Sequence, residues 1–136
     1  MTDKKEIEEK YVLYQLLQYN LEQMKQQYNT LNNQLVEIEG TMNAVSDIEK
    51  AESRDVLVPI GSGAYAYAKL SDNKNLLFNV GANVMIKKDT ASIKELLEKK
   101  KSEVIRLMEE TEKSMNEMAE KINEVVQELQ KLSPPS

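Results

Sequence analysis

The chain has 136 residues, 30% charged and 5% aromatic, with no cysteine, histidine or tryptophan and a net charge of -5. Without cysteine or histidine it has no disulfide, no thiolate nucleophile and no ordinary zinc or imidazole site. A mildly acidic balance with no basic patch argues against nucleic acid as a partner.

No run approaches the ~20 apolar residues that span a bilayer, and the opening MTDKKEIEEK has no apolar core of the secretory kind. The expectation is a cytoplasmic protein with no membrane partner. No Walker loop, Gly-x-Gly-x-x-Gly or nucleophile–base pairing occurs, so no catalytic residue, cofactor or enzyme activity is expected. The one carboxylate cluster, Glu109, Glu110 and Glu112, reads as solvated helix surface rather than a metal site.

Residues 5–52 carry an unbroken heptad pattern. With position a at Ile7, Tyr14, Leu21, Tyr28, Leu35 and Met42, position d falls on Lys10, Leu17, Met24, Leu31, Ile38 and Val45. Lys10 is the one polar residue of those twelve. The interior Gly40 falls at the outward position f, where it costs about 1 kcal/mol against alanine and forfeits no packing.

Between residues 56 and 88 the apolar period shifts from 3.5 to 2. Two pairs of short strand-like runs flank Gly61-Ser-Gly63 and Gly81-Ala-Asn83, each ending in a residue type that accepts a left-handed conformation. Two β-hairpins with three-residue loops are predicted, with Pro59 on an edge or at a bulge because it has no N–H to donate.

A second heptad helix is predicted over residues 90–132. Its d positions are Leu97, Val104, Thr111, Met118, Val125 and Leu132, and its a positions are Lys101, Met108, Met115, Ile122 and Leu129. Asp89 or Thr90 supplies the N-cap, and Ser133-Pro-Pro135 supplies the stop. Folding the helices antiparallel puts seam on seam when paired residue numbers add to 139, as for Leu17 with Ile122. A one-heptad slip, to 146, also places seam on seam, so the pattern determines the register only to within one heptad.

The fold class is therefore α+β: a long antiparallel two-helix coiled coil connected by two β-hairpins. Isolated hairpins are marginal in water and open strand edges invite pairing. The strand region is thus expected to close an intersubunit β-barrel. Val56, Val58, Pro59, Ile60, Tyr65 and Tyr67 from the first hairpin region, and Phe78, Val80, Val84 and Ile86 from the second, are the candidate assembly residues.

Two segments, Leu57-Val-Pro-Ile-Gly-Ser-Gly63 and Asn79-Val-Gly-Ala-Asn-Val-Met-Ile-Lys-Lys88, set between long heptad helices, resemble the prefoldin alpha family over essentially the full chain. Two hairpins resemble the alpha class, whereas the beta class has one. The resemblance implies an ATP-independent chaperone in which two alpha and four beta subunits form a hexamer on a double β-barrel. It also implies coiled coils that hold unfolded or nascent polypeptides at their tips and hand them to a group II chaperonin.

The residues themselves point to the same end of the coil. Tyr11, Val12, Leu13, Tyr14, Leu16 and Leu17 form the densest apolar cluster in the helices, yet only Tyr14 and Leu17 lie on the seam. The others face outward, and apolar side chains exposed in a cluster mark an interaction surface. Val125, Val126, Leu129 and Leu132 of the second helix join them as candidate client-binding residues. The alternative reading is a coiled-coil scaffold without holdase activity.

Overall fold

A computed structural model describes residues 2–132. In chain order the elements are α1 (Thr2–Lys50), β1 (Asp55–Gly61), β2 (Ala64–Lys69), β3 (Asn75–Asn79), β4 (Met85–Asp89) and α2 (Thr90–Leu132). The fold is the expected one, two long helices with two antiparallel hairpins between them. The proposed stop at Ser133-Pro-Pro135 lies outside the described residues. Among the described residues no helix is long and apolar enough to cross a membrane.

At about 1.5 Å per residue, the 49 residues of α1 are uninterrupted by proline, and a Cβ at Gly40 would meet nothing within 4 Å. The chain divides into two compact units. One joins α1 up to Leu35 with α2 from Glu103 onward, which is the antiparallel pairing; the other spans Val36–Ser102.

In the first unit the seam is the core. Leu31, Val104, Ile122 and Val125 are buried, and the remaining seam residues are at least half-buried. Thr111, a hydroxyl at a core position, is buried and donates to the Leu107 carbonyl oxygen at 2.8 Å, so the seam carries no unmet donor there. The numbers add to 139 rather than 146: Lys10 pairs with Glu128, and Tyr11 and Tyr14 line one cleft with Val126 and Leu129.

In the second unit Val45, Ile93 and Leu97 form a buried cluster against which Ile38, Met42, Leu76 and Phe78 pack. Ile93 is the most buried large side chain at 2% exposure. It lies off the seam, at position g, because β3 adds Leu76 and Phe78 beside the coil and widens the covered stripe. Asp89 caps α2 by accepting from the Ser92 N–H at 3.2 Å. The Asp72 carboxylate holds the approach to β3, accepting from the Lys74 and Asn75 N–H groups at 2.8 and 3.1 Å.

The loops differ from the three-residue form expected. Gly61 pairs with Ala64 after a register shift past Pro59, leaving a two-residue turn, Ser62-Gly63, with φ of 49° and 84°. Ala82 and Asn83 repeat it at 49° and 61°. Positive φ at both central residues matches the twist of the flanking strands. The extra glycine of each loop, Gly61 or Gly81 at φ 124°, precedes the turn instead of belonging to it.

Candidate functional site

Two apolar surfaces are left open. Where α1 begins and α2 ends, Tyr11, Val12, Leu13 and Leu16 are 54%, 64%, 42% and 55% exposed. These occupy heptad positions e, f, g and c, which a two-stranded coil cannot cover. Tyr14, Leu17, Val126, Leu129 and Leu132 are half-buried at the edge of the same surface.

Val125 departs from the sequence-based set. It sits at position d and is buried at 7% exposure, so it supports this surface from beneath. Tyr19, which that set omitted, is 62% exposed. The signal for it was spacing: Val12, Leu16 and Tyr19 stand at i, i+4 and i+7 on the face turned from the seam.

Tyr11 and Tyr14 lie with ring centroids 6.3 Å apart and planes tilted by 36°. With Val126, Leu129 and Gln130 they line an open cleft of about 350 Å³. Gln18 donates to the Tyr14 hydroxyl at 3.1 Å, which meets the polar end of an otherwise apolar wall. The lining is mostly apolar and carries no charged side chain among the described residues. Lys10, just beneath, is hydrogen-bonded to Glu128, and that bond raises its pKa.

The strands supply the second surface. Leu57 pairs with Tyr67 and Pro59 with Tyr65, so all four share one face of the β1–β2 hairpin. Leu57, Tyr65 and Tyr67 are 59%, 61% and 94% exposed. Val58, Ile60, Val80, Val84 and Ile86 are also exposed, and Val56 is half-buried. Phe78 departs from the expected assembly set because it is committed to the chain's own Val45–Ile93–Leu97 cluster.

Among the described residues no group of acidic side chains is arranged to hold a metal ion. Glu110 of the acidic cluster instead accepts from Arg106 one turn earlier, at 2.7 Å.

Comparison with known proteins gives consistent results. The family described as Prefoldin subunit matches residues 17–134. The chain is similar to a prefoldin subunit alpha of Methanococcus aeolicus, 33% identical over 124 residues, covering 82% of this chain and 86% of the relative. It is 25% identical over 130 residues to that of Pyrococcus horikoshii, covering 94% and 88%. The backbone matches a chain of a filamentous PFD from Methanocaldococcus jannaschii, seen by cryo-electron microscopy, with a TM-score of 0.72 at 17% identity, over 89% of this chain and 98% of that one.

Proposed function

The chain belongs to the prefoldin family as an alpha-type subunit with that family's chaperone role, and from this we propose that it holds unfolded or nascent polypeptides without ATP and delivers them to a group II chaperonin. The observation that carries the holding step is the open cluster of Tyr11, Val12, Leu13 and Leu16 around the Tyr11–Tyr14 cleft. These side chains are placed where the coil has no use for them, and nothing among the described residues covers them. Each contact is weak, of the order of a partly buried apolar group, about 1 kcal/mol. Grip then arises when several arms engage one client together.

Such cooperation needs an assembly. Membership of the family carries association with other prefoldin subunits, and we take the partners to be beta subunits, two alpha with four beta, in the cytoplasm. The bare β1–β2 face and the open strand edges support joining through the hairpins, in a β-barrel shared between subunits.

The test replaces Tyr11, Val12, Leu13 and Leu16 together with serine and mixes the chain with a beta subunit. Light scattering of a diluted, chemically unfolded client, without nucleotide, reads the holding activity. The expected result is loss of aggregation suppression at unchanged oligomer size by sedimentation. Full suppression by the variant would overturn this assignment and favour a scaffold.

A further inference from the structure

A heptad seam is degenerate by construction: sliding one helix by seven residues again places a on d. Leu17 faces Ile122 in the observed register, but would face Leu129 or Met115 after a slip in either direction, and all three are seam residues. Apolar packing alone therefore discriminates weakly among the three arrangements.

The charged seam positions do discriminate. From Ile7 onward four charged side chains occupy a or d among the described residues: Lys10, Glu49, Lys94 and Lys101. Every one is paired across the coil, Lys10 with Glu128, Glu49 with Lys94, and Lys101 with Glu39 at 3.6 Å. The lysine side chains are 25%, 33% and 30% exposed, so their stems lie in the seam while their ammonium groups reach its rim.

A slip abolishes all three pairs at once. One heptad one way takes the position facing Lys10 past Leu132, the last residue of α2, and brings Ser46 opposite Lys101 and Val56 opposite Lys94. One heptad the other way brings Lys121, Asn32 and Met42. No position offers a carboxylate, and Lys121 adds a like charge. Lysines stranded in this way still interrupt the apolar seam with their stems and lose the ion pair that offsets the interruption.

We propose that Lys10, Lys94 and Lys101 are positioning residues that select the register of the coil. They thereby hold Tyr11 and Tyr14 opposite Val126 and Leu129, which is the cleft at the coil terminus. The apolar seam supplies adhesion, and the three ion pairs supply alignment. A single polar seam residue is known to fix register in coiled coils at some cost in stability; here three act along one pair of helices.

Because the chain has no cysteine, disulfide trapping reads the register directly. Three double-cysteine versions of the full chain are used: Leu17→Cys with Ile122→Cys, with Leu129→Cys, and with Met115→Cys. On the native background only the 17–122 pair is expected to cross-link. Adding Lys10→Met, Lys94→Met and Lys101→Met retains helix-forming, seam-compatible side chains. It is expected to raise the 17–129 or 17–115 product from background to a level comparable with 17–122.

Circular dichroism checks that helix content is retained. If the triple variant does not fold, a second comparison decides. Glu39→Lys with Glu49→Lys should spread the cross-links, and adding Lys94→Glu with Lys101→Glu should return them to 17–122. Cross-linking confined to 17–122 in every background would overturn the proposal and assign the register to the hairpins. None of these readings depends on whether the protein holds clients.

Discussion

The two hairpins are near copies locally and differ in what one strand of each meets. Their turns share a glycine at φ 124° followed by a residue at 49° and then another left-handed residue, and both pair antiparallel over five or more positions. Yet β3–β4 turns Leu76 and Phe78 onto the Val45–Ile93–Leu97 cluster, whereas β1–β2 turns Leu57, Tyr65 and Tyr67 to solvent. Turn chemistry forms a hairpin, but what covers its apolar face decides which molecule stabilises it. One hairpin is held by its own helices, and the other is left open to solvent.

Substitution should break this contrast most sharply at the aromatic residues. Phe78→Ala removes a ring packed on the chain's own cluster and should destabilise the isolated chain by about 2–4 kcal/mol, read as a lowered midpoint in urea. Tyr67→Ala removes a ring that touches little, so the isolated chain should shift by less than about 0.5 kcal/mol. In a mixture with beta subunits the order should reverse, with Tyr67→Ala weakening assembly measured by sedimentation. Equal destabilisation of the isolated chain by the two substitutions would refute the division between self-covered and partner-covered hairpins.

The helices were the legible part of the fold, because every heptad position read as seam from Ile7 to Leu132 is at least half-buried in the structure. The apolar cluster at the coil terminus was legible for the complementary reason, since Tyr11, Val12 and Leu16 break the pattern. Ile93 was not, because its burial comes from β3, a tertiary neighbour that helical periodicity cannot register. The turns were misread by one residue, because Gly61 pairs with Ala64 and so joins the ladder. Val125 was assigned to the open surface by proximity alone, although its own heptad position already placed it inside.

Acid should release the two hairpins unequally. Asp72 is held below the usual carboxylate range first by the Lys74 N–H and then by the Asn75 side-chain amide. Asp89 is held below it first by the Ser92 hydroxyl, and Glu49 first by Lys94 and then by Thr90. Depressed carboxylates contribute stability that is present above their unfolded pKa values, about 4, and is lost as pH falls through the lower folded values. Two of the three flank β3–β4.

Protection of the Phe78 and Ile86 amides, measured as exchange relative to the intrinsic rate at each pH, should therefore fall more between pH 5 and pH 3 than that of Val58 and Ala66, and Asp72→Asn should flatten that response. Lys10 has the opposite sign. Its pKa is raised, chiefly by the hydrogen bond to Glu128, so its contribution is complete below the ordinary lysine value and is lost only as pH climbs through the raised one.

The smallest effect tests the turns themselves. Ser62 and Ala82 both sit at φ 49°, where a side chain costs roughly 1–2 kcal/mol against the right-handed conformation. Glycine relieves that cost but adds freedom to the unfolded chain, worth about 0.4–1 kcal/mol. Ala82→Gly should therefore raise the stability of the isolated chain by about 0.5–1 kcal/mol, because β3–β4 is coupled to the core through Leu76 and Phe78. Ser62→Gly relieves the same strain in a hairpin whose Leu57–Tyr65–Tyr67 face supports nothing in this chain. Its shift in the urea midpoint should be the smaller of the two, and matching shifts would mean that both hairpins unfold with the core.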